Sequence, residues 1–370
     1  MIKKYIYSII IGACSLSLSG CGNDAIVQED VAGQTLPISF KANLPSLNIE
    51  NTTRATSFSN GDRVTIVAAN AGAESPIPTD WTPGNLYLNH EVGTIGSETW
   101  EHEYAEYPIT LNTLKYWYFE PNKYLSFIAY SPITDPEVDA RVSRTDMNLA
   151  INGTTEPLFP DLLYTAPIGN YNKSRVSVLL DFKHAMARLA VKVIAVDQDN
   201  NILPANEHPV NQLQISSLVI KTKVTQGNFN LVSSQWTLTD PGSSAPSQVA
   251  YTVIPSSGAS TSIPYDNSGT GIGTSTSYLL PSASNVNTVE LSSIVFKVKD
   301  TNTDIEVGGE YTLNQFKQID NSPVTLEMGK TTILLIKLQY TAIPPITPTV
   351  QLQGQLVDWN DKGASTVTIE

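Results

Sequence analysis

Cysteine and histidine are scarce, with two Cys and four His in 370 residues. That excludes a disulfide scaffold and a Cys-rich metal site. Charge is thin as well, 15% of residues against about 25% in an average soluble domain. The bases are outnumbered, 22 Lys+Arg to 35 Asp+Glu, for a formal charge of −13. A surface of that sign repels phosphates, which argues against nucleic acid as a partner. Past the first 20 residues no apolar run approaches the length of about 18 needed for a helical membrane span. Repeats of about 20–50 residues are missing, and so is any convincing 3.6-residue apolar period. What is there suffices for a core, since 41% of the chain is hydrophobic. At about 100–200 residues per domain, the length suggests two domains.

The first 20 residues read as a secretory signal. Lys3 and Lys4 form its basic end, and Tyr5–Ser19 its apolar stretch, too short at about 1.5 Å per residue for a permanent span. It closes on Leu18-Ser19-Gly20-Cys21, which resembles a bacterial lipobox, where cleavage precedes a lipidated cysteine. Cleavage there removes Cys14, Lys3 and Lys4, leaving 20 Lys+Arg against 35 Asp+Glu, a charge of −15. With the sulfur of Cys21 occupied by lipid, the mature chain has no free thiol and depends on packing alone. Its acyl chains, at about 0.8 kcal/mol per buried CH2, anchor it to a membrane. Residues 21–34 read as a polar tether, with Asp24, Glu29 and Asp30 placed like a surface-export signal.

From Thr35 onward the pattern is that of strands. Leu36, Ile38, Phe40 and Ala42 alternate with Pro37, Ser39 and Lys41, the period of a half-buried strand. Arg63–Ala69, Tyr124–Tyr130, Arg175–Phe182, Arg188–Val196, Leu213–Thr222, Leu291–Lys299 and Thr331–Tyr340 are Val-, Ile-, Leu- and aromatic-rich runs between turn residues. Asp197–Asn201 and Asp300–Asp304 are Asn/Asp-rich connections suited to hairpins. Lys183–Ala187 is expected to form one helical turn. Asp240–Tyr278, rich in Ser, Gly, Thr and Pro, is expected to be a surface loop broken by a short strand at Val249–Ile254. The class is all-β, two antiparallel sandwiches, divided near His184 into residues 35–184 and 185–370.

Catalytic and cofactor-binding patterns find no support. Glu101-His102-Glu103 lacks the paired His of a metalloprotease helix, and neighbours on a strand point to opposite faces. Gly269-Thr270-Gly271-Ile272-Gly273 follows no strand and lacks the Lys-Ser/Thr ending of a phosphate loop. Asp300, Asn302 and Asp304 begin like a calcium loop, but Ile305 and Tyr311 stand where Gly and Glu belong. There is no Gly-x-Ser-x-Gly elbow. The expectation is a non-enzyme without metal or cofactor. One local excess stands out, seven aromatics between Tyr116 and Tyr130. Alternate rings there suit a core, and Tyr116 with Trp117 also suits a glycan platform.

The order of segments resembles the fimbrillins, lipoprotein-derived pilus subunits of anaerobic Gram-negative bacteria. The likeness rests on the lipobox at Cys21, Ile38-Ser39-Phe40, Thr52–Thr56 leading to Asn60–Val64, and Tyr116-Trp117 with Leu125–Pro132. It continues through Asp161–Ala166, Asp181–His184, Tyr278–Pro281, Met328-Gly329-Lys330 and Val357-Asp358-Trp359. The resemblance implies two transthyretin-like β-sandwiches in series. It also implies export to the outer membrane surface as a lipoprotein and an Arg-specific protease that cuts a loop after the first strand. A neighbouring subunit's strand then fills the vacated groove. Carried onto this sequence, the cut falls between Arg54 and Ala55 and releases the strand of Leu36, Ile38 and Phe40 together with the lipid. The donor candidates are the alternating stretches holding Val350 and Leu352, and Val367 and Ile369, after the Pro-rich Ile343–Pro348. The implied partners are other pilus subunits, the outer membrane before processing, and the protease, with the fimbria as final location. The alternative is a monomeric surface lipoprotein that binds a glycan or other ligand.

Overall fold

The computed structural model describes residues 36–44, 58–72, 77–101, 104–131, 143, 146–152, 161–175, 177–203, 213–222, 226–239, 249–254, 261–262, 272–281, 291–300, 304, 306–318, 320–322, 324–339 and 349–358. Strands in the first half are β1 (Phe40–Asn43), β2 (Arg63–Asn70), β3 (Leu86–Ile95), β4 (Thr99–Glu101), β5 (Tyr104–Leu111), β6 (Leu125–Ser131), β7 (Asn148–Asn152), β8 (Leu163–Tyr164), β9 (Ile168–Tyr171), β10 (Val178–Asp181) and β11 (Lys183–His184). The second half holds β12 (Ala187–Val196), β13 (Leu213–Thr222), β14 (Gln226–Asn230), β15 (Gln235–Leu238), β16 (Val249–Ile254), β17 (Thr261–Ser262), β18 (Ile272–Leu279), β19 (Leu291–Asp300), β20 (Glu306–Thr312), β21 (Lys330–Gln339) and β22 (Thr349–Asp358). A three-residue 3-10 turn, Leu313–Gln315, is the one helical element among the described residues. The protein is all-β.

The first sheet runs β10-β1-β5-β3-β2-β6-β8-β11, with β4 on β5 and β9 on β6. Its two end strands, β10 and β11, are separated in the chain by Phe182 alone. The chain therefore turns a corner at Phe182 from one end of the path to the other, and the sheet curls around a first core. That core holds Ile38, Phe40, Ala42 and Leu44 with Phe58, Ile66, Leu88, Trp117, Phe127 and Phe182.

Why β2 and β6 are apolar almost without interruption follows from what lies on their two faces. Val64, Ile66 and Ala68 of β2 and Leu125, Phe127 and Ala129 of β6 enter the first core. Val67 and Ala69, with Ile128 and Tyr130, face a middle core on the other side. A strand buried on both faces cannot alternate with polar residues.

A three-stranded sheet, β15-β14-β7, covers the middle core with Leu149, Ile151, Phe229, Trp236 and Leu238. Its β7 precedes residue 184 and its β14–β15 hairpin follows it, paired through Phe229↔Leu149 and Gly227↔Ile151. The first core is built only from residues up to Phe182, and the third only from Ala187 onward. The middle core draws on both sides of residue 184.

At the junction Lys183–His184 is a short strand on β8 rather than the expected helical turn. His184 is buried with Nδ1 2.9 Å from the Asp161 carboxylate, and Trp236 Nε1 donates to the Ala185 carbonyl at 2.7 Å. These partners hold the backbone extended where the five-residue sequence alone suggested a helical turn.

The third core lies between two sheets, β18-β12-β21-β22 and β16-β13-β19-β20, the latter with β17 on β13. Parallel β12 and β21 form the centre of the first of these. The expected loop Asp240–Tyr278 is a correction: besides β16 it contains β17 and β18. Ser- and Thr-rich β18 has little apolar signal of its own and is fixed by pairing with β12 from Ala187↔Leu279 to Val193↔Ile272.

Candidate functional site

Residues 36–44 are threaded through the first sheet. β1 lies between two strands, antiparallel to β5 (Phe40↔Ile109) and parallel to β10 (Phe40↔Val178). The pairing begins before β1, since Ile38 N donates to the Lys115 carbonyl at 2.8 Å and Trp117 N to the Leu36 carbonyl at 2.9 Å. On the other edge Val178 N donates to Ser39 and Phe182 N to Asn43, at 2.9 and 2.8 Å. Both edges of the segment are therefore satisfied by backbone.

The alternation read from the sequence sorts the side chains. Ile38, Phe40, Ala42 and Leu44 are all buried, Phe40 being 2% exposed. Between them Lys41 reaches Glu106 at 2.8 Å and Asn43 Nδ2 donates to Asp181 at 3.2 Å. Phe40 meets Phe127 edge to face, centroids 5.5 Å apart. Phe58 packs the same way on Phe182 and Tyr107, at 5.1 and 5.7 Å. Each large apolar side chain here contributes roughly 1.5–3 kcal/mol by burial alone. Taken away, the segment would leave β5 and β10 with facing unpaired edges around an aromatic-walled trough, a template for another strand.

Of the residues singled out by sequence, Leu36, Ile38 and Phe40 lie together in this groove. Cys21, Arg54, Ala55, Val367 and Ile369 lie outside the described residues. So do His102 and Glu103, and among the described residues no cluster of His, Cys, Asp and Glu is placed to hold a metal. No helix among them is long and apolar enough to cross a membrane. Val350 and Leu352 sit on β22, which pairs with β21 over ten residues from Gln339↔Thr349 to Lys330↔Asp358. β22 is the edge of its sheet. On its outer side Gly354 N donates to the Lys317 carbonyl at 2.7 Å. Both side chains are half-buried against the third core.

The aromatic cluster divides. Trp117 is 5% exposed and meets Phe127 edge-on at 6.1 Å, so it belongs to the core and offers no face to a sugar. Tyr116 stays partly open, its carbonyl accepting from the Tyr87 hydroxyl. Tyr118 stacks at a tilt on Tyr87, 4.7 Å between centroids, and donates to Asn70 Oδ1 at 2.6 Å. Burial, first of all, pushes both phenols above the ordinary tyrosine pKa.

Sequence reasoning missed β5, one wall of the groove. Its alternation is present, with Tyr107 and Ile109 buried. Pro108 between them argues against an interior strand. In the fold Pro108 stands opposite Lys41 on β1, and its carbonyl accepts from Gly96 N at 2.7 Å.

A search of curated proteins finds no match to this chain. Among solved structures, a proposed cell-adhesion protein of Bacteroides uniformis ATCC 8492 is similar at 14% identity and TM-score 0.52, over 87% of this chain and 98% of that one. Another, from Bacteroides ovatus ATCC 8483, gives 15% identity and TM-score 0.47 over 88% and 98%. A fimbrial assembly protein of Parabacteroides distasonis ATCC 8503 gives 10% and 0.40 over 89% and 98%. At such identities the likeness of the first bears on the fold alone. The model of the fimbrillin-like family matches residues 53–352, most of the chain. With that match running from ahead of β2 into β22, the chain belongs to the fimbrillin-like family.

Proposed function

We propose that this protein is a structural or adhesive subunit of a surface fimbria, assembled by strand exchange. The chain is exported as an outer-membrane lipoprotein anchored through Cys21. A cut after Arg54 by an Arg-specific protease frees residues 21–54, which include β1 and the lipid. A strand from a neighbouring subunit then enters the trough between β5 and β10. Residues 349–358 or the alternating stretch at Val367 and Ile369 are the donor, and no catalysis or cofactor is involved.

The observation that carries this reading is the place of β1. It is the first described strand, it is bonded along both edges, and it supplies four consecutive inward side chains to the first core. Such a strand precedes Arg54 in the chain, so one cut there would free it. It is also buried deeply enough that its loss demands a replacement, because apolar surface and ladder groups would otherwise meet water. Two serial transthyretin-like sandwiches fit the separate first and third cores, with the middle core as their seam.

N-terminal sequencing of the protein taken from the cell surface tests the processing step. The expected result is a start at Ala55. A lipidated start at Cys21 in assembled material would overturn it.

A further inference from the structure

The three cation–π pairs among the described residues all sit in one corner of the first sheet. Lys123 lies 5.9 Å from the Tyr118 ring centroid, Lys173 5.3 Å from Phe119, and Arg175 5.6 Å from Tyr171. Asn172 Nδ2 donates to the Pro121 carbonyl at 3.0 Å, tying the two loops together. Three of the four exposed large apolar side chains among the described residues are in this corner too: Leu114, Tyr116 and Phe119, at 59, 38 and 65% exposure. Lys115 is paired with Glu91 at 2.5 Å; Lys123, Lys173 and Arg175 each stand over a ring of the corner, and Glu120 lies beside Tyr118. A cationic, apolar surface on a chain of charge −13 is a local inversion.

Its location is the mouth of the groove. Leu36–Ile38 enters the sheet alongside Lys115–Trp117, and Pro37 bridges Tyr116. Any strand filling the groove in the direction of β1 enters here. A donor at the C-terminal end of a neighbour has its own body upstream of it, so that body would stand over this corner. Run in the opposite direction, the same donor would leave its body at the far end, beside Asn43 and Asp181.

The neighbour has a complementary end. β12 ends in the turn Asp197–Asn201, where Asp197 Oδ1 accepts from the backbone of Asp199 and Asn201, both at 2.8 Å. Hydrogen bonds led by that from the Asn201 side chain hold the Asp197 carboxyl below the usual carboxylate range. Asp199 is exposed. Gln339 Nε2 donates to the Gln198 carbonyl at 2.9 Å, and Gln339 pairs with Thr349, the first residue of β22. The acidic turn therefore marks the end of the body from which residues 349–358 would leave. It borders the third core while the cationic corner borders the first. A contact between them is head-to-tail and propagates as an open filament.

Resting on the strand-exchange reading, we infer that Leu114, Tyr116 and Phe119, ringed by Lys123, Lys173 and Arg175, seat the Asp197–Asn201 end of a second copy of this chain. The incoming strand accordingly runs in the direction of β1. The charges serve encounter more than final affinity. Copies of the same acidic protein repel one another, and a complementary patch speeds association most at low salt.

The test is the growth rate of polymers from full chain processed at Arg54, followed by light scattering. Lys173→Glu with Arg175→Glu is expected to slow growth about tenfold at low salt and much less near about 0.5 M, where charges are screened. Adding Asp199→Lys to that variant is expected to restore most of the rate. All three side chains are exposed or surface-stacked, so an unchanged melting temperature verifies the fold. A fluorophore on Phe119→Cys is expected to lose water contact as polymers form. Growth at the unaltered rate at every salt, with that fluorophore still wet, would overturn the inference. An acidic oligosaccharide bound by the monomer and lost in the corner variant, with growth unaffected, would overturn it in favour of a glycan. Absence of polymer from the unaltered chain would remove the strand-exchange reading and this inference with it.

Discussion

Phe40→Ala is expected to cost the unprocessed chain about 3–5 kcal/mol of stability and the assembled polymer nothing. In the intact chain Phe40 is 2% exposed and its ring meets Phe127 edge to face. Truncating it opens a cavity in the first core, and the closed sheet on either side of β1 limits how far the walls can relax. On the proposed reading Phe40 leaves with residues 21–54 before the polymer forms, so its identity would no longer matter there. Phe127→Ala is the control. Phe127 is wholly buried on β6, touches Phe40, Trp117 and Tyr171, and remains in the body after processing. Its loss is expected to destabilise precursor and polymer alike by the same 3–5 kcal/mol or so. Denaturant unfolding of both forms reads the two variants against each other. A polymer weakened equally by Phe40→Ala would mean that β1 is still in place.

Arg54→Ala is expected to abolish surface polymer altogether, leaving lipid-anchored monomer with β1 seated in its groove. The effect is all-or-none because an uncut chain keeps the groove filled by a covalently attached strand. A donor from another copy would compete with an intramolecular strand at very high effective concentration. Arg54→Lys is expected to behave as Arg54→Ala, since the processing enzyme is taken to be Arg-specific. Polymer content and the N-terminal residue of surface protein measure this. Polymers forming at the usual level from either variant would remove the proposed role of Arg54.

Much of the fold was legible because burial on two faces writes continuous apolar runs. Arg63–Ala69, Tyr124–Tyr130, Arg188–Val196 and Thr331–Tyr340 coincide with β2, β6, β12 and β21 to within a residue or so. Leu213–Thr222 and Leu291–Lys299, which match β13 and β19, bury mainly alternate residues. The alternation at Leu36–Ala42 was legible for the opposite reason, a strand with one face in the core and one in water. What stayed hidden are strands held by partners rather than by their own composition. β14 (Gln226–Asn230) buries the Phe229 side chain and otherwise offers Gln, Gly and Asn, yet it is locked between β7 and β15. Its pairing with β7 joins residues about 80 positions apart, which no local pattern reports.

The glycan platform fails in part for a reason the sequence already contained. Tyr116 and Trp117 are neighbours on extended backbone, so their side chains take opposite sides. With Trp117 facing Phe127, Tyr116 must face out. The exposed partner for a ligand was Phe119, and nothing local distinguishes it from the rings that became core. It lies in the loop that returns the chain to β6, and its long-range contact is Lys173, which reaches over it from a turn more than fifty residues later.

The central claim is that the leading strand is a detachable filler whose place a sister molecule takes. The most direct measurement is to cut purified full chain after Arg54 and follow both products by mass and light scattering. The account predicts that residues 21–54 separate from the body as polymers grow, and that an added peptide spanning residues 35–45 stops that growth. Monomers that stay monomeric after the fragment has left, or polymers that still contain it, would contradict the account.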